Sequence, residues 1–194
     1  MRRNVAILVF DEVEVLDFAG PFEVFAVTDS LRSRAVFSVS TVSSTGGEVR
    51  ARNGLRVVPD HSFADCPQPH VLIVPGGYGT RPLLGDEVTI KWILERSRAA
   101  EVTMSVCTGA LLLGKAGLLD GMRATTHHGA VGELRAAAPR AVVEPGARFH
   151  DNGRILTAAG ISAGIDCSLH LVGRLLGDDV AAATAAYMEY ELRK

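Results

Sequence analysis

Short unbroken apolar runs alternate along the chain with longer stretches whose apolar residues recur at helical spacing. Residues 5–10 form a continuous apolar run, the pattern of a strand covered on both faces. Residues 21–28 read as a helix with Pro21 near its first turn, and 35–42 as a second strand. Within 49–58, Asn53-Gly54 marks a turn between two short strands. The run 71–74 is another buried strand that ends at Pro75-Gly76-Gly77, and Asp86 caps a helix reaching to about residue 98. A strand over 102–106 leads into a helix over 108–116, which Gly117 terminates.

The second half repeats this alternation. A strand is expected over 122–126, a helix over 130–138, and two strands, 147–150 and 154–158, around Asp151-Asn152-Gly153. Ser162 opens a helix with Ile165, Leu169, Val172 and Leu176 on one face; Gly177-Asp178-Asp179 breaks it before a last helix over 180–192. The pattern predicts one α/β domain over residues 1–194, with a mainly parallel sheet, helices on both faces and right-handed crossovers.

Composition narrows the functional classes. With 47% hydrophobic residues in 194, the chain has enough apolar surface to offset its conformational entropy, which excludes disorder. The net charge is −2 and no Lys/Arg run occurs, so no nucleic-acid partner is expected. The apolar runs are too short for a bilayer span, and the first ends at Asp11, before a signal peptide would need its cleavage site. No membrane partner or export is therefore expected. Cys66, Cys107 and Cys167 are odd in number and widely spaced, without a CxxC pair, so neither a disulfide framework nor a zinc ribbon is indicated. A reducing cytoplasm fits this pattern.

In an open parallel sheet, ligands bind beyond the carboxyl ends of the strands. Three loops are expected there, carrying a carboxylate (11–17), glycine amides (75–80) and a thiol (Cys107-Thr108). Cys107 stands on a sharp strand-to-helix turn, where helix N-terminal amides favour thiolate over thiol. It is equally readable as a small packing residue. Gly77 either serves a tight turn or lends its N–H, with that of Thr108, to an oxyanion hole. Asp17 is one of four acidic residues in its loop, but Leu16 and Phe18 flank it and would raise its pKa towards a general acid's range. Without GxGxxG or G-K-[ST], no nucleotide cofactor is indicated. His127 and His128 are adjacent at a strand end and point to opposite sides, with no further ligand at metal spacing, so no metal is expected. Cys167, His150 and His170 are read as packing residues, and Cys66 as a loop residue.

Several motifs in one order then carry a family resemblance: Leu16-Asp17-Phe18-Ala19-Gly20-Pro21, Val74-Pro75-Gly76-Gly77, Ser105-Val106-Cys107-Thr108-Gly109, Thr125-Thr126-His127 and Gly160-Ile161-Ser162-Ala163-Gly164. Together they resemble the ThiJ/PfpI superfamily over nearly the whole chain, and Asp17 with Cys107-Thr108 is similar to its isonitrile hydratase branch. The resemblance implies a flavodoxin-like three-layer sandwich, a homodimer, and a reactive Cys107 that needs no cofactor. It implies catalytic roles for Cys107 and Asp17, and a substrate pocket lined by Gly76, His127, His128, Gly160 and Ile161. Thr108 stands where protease-like branches place His, and His128 where close relatives often carry Trp. The expected reaction is hydration of a small isonitrile to an N-substituted formamide through a thioimidate on Cys107. The alternative is a ligand or redox sensor, related to the sensor-like domain of AraC-type regulators. Those carry a helix-turn-helix region, and none is expected here, where the chain ends just after its last expected helix.

Overall fold

A computed structural model describes residues 1–191. The elements in chain order are β1 (Arg3–Leu8), α1 (Val15–Leu31), β2 (Phe37–Ser43), β3 (Val49–Arg50), β4 (Arg56–Val57), β5 (His61–Ser62), β6 (Val71–Val74), α2 (Thr80–Leu83), α3 (Glu87–Ala99) and β7 (Val102–Val106). They continue with α4 (Gly109–Lys115), β8 (Arg123–Ala124), α5 (Val131–Ala137), β9 (Val142–Val143), β10 (Phe149–Asp151), β11 (Ile155–Ala158), α6 (Ala163–Leu176) and α7 (Asp178–Tyr187).

Seven strands form the central sheet in the order β10-β11-β7-β6-β1-β2-β5. Every neighbouring pair is parallel except β10 with β11, which closes one edge as a hairpin. The inner strands are apolar because both faces are covered: β6 is buried throughout, and Val5, Ile7, Leu72, Ile73, Met104 and Val106 are fully enclosed. Helices α1, α6 and α7 pack together, and α3, α4 and α5 form a second group. This is the α/β sandwich that the alternation predicts.

The topology makes a crevice. From β1 the chain runs outward through β2 to β5, then returns to place β6 on the other side of β1 and β7 beyond it. The strand order therefore reverses between β1 and β6, where crossover connections diverge and leave space above the carboxyl ends.

Local departures from the sequence reading have physical causes. Helix α1 begins at Val15, six residues before the expected start, and carries Pro21 in its interior. Burial of Phe18, Val24 and Phe25 outweighs the helix hydrogen bond that Pro21 cannot donate. Asp17 thus belongs to a helical turn, not to a loop. The strand expected at 122–126 shrinks to β8, which pairs with β9 outside the main sheet. Asp178 and Asp179 form the first turn of α7 instead of a break, and Gly177, at φ 107°, alone makes the corner. The expected end of that helix at Leu192 lies outside the described residues. The short elements β5 and α2 have no apolar periodicity to announce them. The turn residues Asn53 (φ 62°) and Gly153 (φ 82°) sit where the two hairpins were expected, and Asp86 accepts the Val88 N–H as the α3 cap. Among the described residues, no helix is long and apolar enough to cross a membrane.

Candidate active site

Cys107 occupies the turn between β7 and α4 with φ 57°, a left-handed conformation that L residues adopt at a cost. Three hydrogen bonds hold it there. Its N–H donates to Ala158 O (3.1 Å) and Ala159 O (2.9 Å), and its carbonyl accepts the Thr126 hydroxyl at 2.8 Å. The backbone amides of Thr108 and Ile161 lie by the sulfur and favour its charged form. Burial nevertheless pushes the thiol up to about 12, and the neighbouring Asp17 charge adds to that rise. The expected thiolate at the helix end is therefore a correction: α4 is one short helix of seven residues, and two amides do not offset enclosure beside a carboxylate.

Asp17 projects from the first turn of α1 and is fully enclosed. Its Oδ2 accepts the Gly76 N–H at 2.9 Å, whereas the buried Oδ1 has no partner of good hydrogen-bond geometry. Burial raises its pKa to about 7; the Gly76 N–H opposes this, the Glu14 charge reinforces it, and interaction with the Cys107 thiol lowers it. The direction matches the sequence reading, and the cause does so in part. Leu16 points outward at 38% exposure, whereas Phe18 is buried, so water is excluded by one flanking apolar residue and by position at the base of the crevice.

Two glycines permit this approach. A Cβ on Gly76 would stand 2.4 Å from Thr108 N and 3.0 Å from Asp17 Oδ2. Gly77 has φ 131°, and its N–H donates to Thr108 Oγ1 at 2.9 Å. Thr80, absent from the sequence reading, donates its hydroxyl to Gly77 O at 2.9 Å and lies 3.2 Å from Thr108 Oγ1. The Gly77 amide is consequently engaged by the Thr108 hydroxyl and is not a free oxyanion donor. The amides turned to the sulfur come from Thr108 and Ile161 instead.

Above the thiol lies a cavity of about 160 Å³ lined by Glu14, Arg52, Gly77, Tyr78, Arg81, Cys107, Thr108, His127 and Ile161. Of the expected pocket residues, His127 and Ile161 line it. Gly76 lies beneath it as a support for Asp17. Gly160 packs against the His127 ring, since a Cβ there would fall 2.5 Å from Cδ2. With His128, it lines an adjoining cavity of about 400 Å³. The two imidazoles do not diverge. They lie side by side with centroids 4.1 Å apart and planes tilted by 33°, because His127 leads into a 3-10 turn and is not a strand residue. The His127 Nδ1 accepts the Gly129 N–H (3.1 Å), and burial followed by the charges of His128 and Arg81 lowers its pKa. Glu14, Arg52, Tyr78 and Arg81 were not expected in the site. Their side chains converge from three separate segments of the chain with no motif to join them.

The DJ-1/PfpI family model matches residues 3–174. The chain belongs to this family. Isonitrile hydratase of Pseudomonas putida is 38% identical over 192 residues, covering 98% of this chain and 79% of the relative. A second relative, the HTH-type transcriptional regulator GbdR of Pseudomonas aeruginosa, is 30% identical over 97% of this chain. This chain spans 51% of that regulator's length. Among solved structures, a ThiJ/PfpI family protein from Pseudomonas syringae superposes with a TM-score of 0.88 at 29% identity, covering 100% of this chain and 77% of that one. The family therefore includes both an enzyme and regulators similar to this chain, and the site must choose between them. Its chemical content is a thiol, a carboxyl group of near-neutral pKa and two amides at the sulfur. Among the described residues, no three His, Cys, Asp or Glu side chains gather as a metal site.

Proposed function

We propose that this DJ-1/PfpI protein hydrates a small isonitrile, with Cys107 as nucleophile and Asp17 as the proton carrier. The observation that carries the reading is Asp17: a wholly buried carboxyl group with one oxygen unpartnered, placed against a thiol in a left-handed turn. A ligand sensor needs no such costly group, whereas addition of a thiol to the terminal carbon of R–N≡C needs a sulfur nucleophile and a proton at the same carbon.

The two pKa values set the order of events. Between about 7 and about 12 the pair holds a single proton, and it resides on sulfur. Asp17 takes that proton and delivers it to the isonitrile carbon as sulfur bonds to the same carbon, giving R–N=CH–S–Cys107. The Thr108 and Ile161 amides stabilise the sulfur as its proton leaves. Ionised Asp17 then draws a proton from water as the oxygen adds to the carbon. Transfer of protons to nitrogen and sulfur, with cleavage of C–S, releases R–NH–CHO and restores the thiol. The overall balance is R–NC plus water to the formamide, with no redox change.

The relation to isonitrile hydratase over almost the whole chain supports this reading. A homodimer, a cytoplasmic setting and a single domain over residues 1–194 complete the proposal. Incubation with phenyl isonitrile should produce N-phenylformamide with native protein and none above background with Cys107→Ala. Absence of product with folded native protein would overturn the assignment.

A further inference from the structure

The cavity mouth carries a feature that the addition chemistry does not use. The Arg52 guanidinium lies 3.8 Å from the centroid of the Tyr78 ring. Among the described residues, no carboxylate lies within ion-pair distance of it and its side-chain N–H groups have no acceptor. Arg81, 5.9 Å from the same ring, is spoken for: it donates to both Glu133 carboxylate oxygens at 2.9 and 2.8 Å and to Gly77 O at 3.1 Å. Arg52 is thus a planar donor fork, held by an aromatic face, with its edge unoccupied at the entrance to the Cys107 cavity. Such a fork matches the two oxygens of a carboxylate. The acidic residue of the same cavity, Glu14, acts on Asp17 and His127. An anionic group is therefore repelled from the acid side and received at Arg52, leaving the uncharged end of the molecule for the thiol.

We infer that the site takes a small electrophile bearing a carboxylate, which Arg52, stacked on Tyr78, binds while the electrophilic carbon reaches Cys107. The inference deepens the isonitrile reading by naming the substrate's second group, and it depends on Cys107 as the reacting centre. The cavity of about 160 Å³ restricts the molecule to a compact scaffold.

Alkylation of Cys107 tests this without relying on hydration. Rates for anionic iodoacetate and neutral iodoacetamide are measured by peptide mass at pH 8 in native protein, Arg52→Ala, Arg52→Lys and Arg56→Ala. Arg56 is exposed, paired with Glu48 and outside the cavity. The iodoacetate-to-iodoacetamide ratio should fall about 5- to 10-fold in Arg52→Ala, as expected for loss of one charged hydrogen-bonding partner. It should recover in part in Arg52→Lys and stay at the native value in Arg56→Ala. Benzoate should protect native Cys107 from iodoacetamide better than benzamide does. A ratio unchanged by Arg52→Ala, or benzamide protecting as well as benzoate, overturns the inference. So does a Cys107 that reacts with neither reagent, since the cavity would then be closed. Failure of isonitrile hydration with the ratio effect intact would discard the reaction and keep the carboxylate site.

Discussion

The floor of the crevice and its rim are built on different principles. On the floor, Asp17, Gly76, Thr108 and Cys107 are enclosed by the carboxyl ends of β1, β6 and β7, and each contact excludes a larger or differently placed group. At the rim, Tyr78 is 61% exposed, with Arg52 over it from the β3–β4 turn and Arg81 beside it from α2. Enclosure pushes the titrations of Asp17 and Cys107 well above their ordinary values, while solvent screens the charges of the rim. The floor is therefore suited to fix a reaction type, and the rim to select which molecule undergoes it.

The largest effects should come from removing floor residues. Cys107→Ala should lower isonitrile turnover by at least about 1,000-fold, the scale of a lost nucleophile. Melting temperature measured alongside should show no collapse of the fold, because the change removes one sulfur from a turn whose backbone bonds remain. Asp17→Asn should cost about 100- to 10,000-fold in kcat, the usual range for a positioned acid–base group.

That second variant also exposes the thermodynamic cost of the site. Asp17 titrates near 7 when folded against 3.8 otherwise, so between those values the native state binds more protons than the unfolded chain. Stability contributed by the protonated form is full below about pH 4 and declines as pH rises through about 7. Asn carries no such penalty. Urea unfolding should show Asp17→Asn gaining on the native protein by an amount of the order of a few kcal/mol between pH 5 and pH 8. An equal pH dependence in both would show that Asp17 is not held as described.

Thr108→Val should have a smaller effect, about 1–3 kcal/mol in unfolding free energy, because the buried Gly77 N–H loses its acceptor; Thr108→Ser should restore most of it. Smallest of all, Tyr78→Ala at the rim should change KM about 2- to 5-fold and kcat little, since it removes only support for Arg52. A rim variant with floor-sized effects would erase the distinction.

This division also explains what the sequence could reveal. The parallel core announces itself through unbroken apolar runs such as 71–74, and the elbow through a cysteine placed directly after such a run. Gly76 and Gly77 were visible as loop glycines, but only packing shows that one serves Asp17 and the other Thr108. The thiol's state is hidden because spacing reports the helix end and not the enclosure. The directions of His127 and His128 do not follow a period of two, because β8 ends at Ala124 and the chain turns there. The rim was illegible: Arg52 and Tyr78 meet only because β3 and β4 bring a hairpin over the loop after β6, a long-range consequence that no local pattern encodes.

The central claim is that one proton, shared by Asp17 and Cys107, serves the addition. Its most direct test is kcat/KM for phenyl isonitrile from pH 5 to pH 9. The rate should rise about tenfold per pH unit on the acid side, bend near pH 7 as Asp17 ionises, and remain level to pH 9. A rate that falls through pH 7 would contradict it, because Asp17 would then have to enter the reaction already protonated beside a separately formed thiolate.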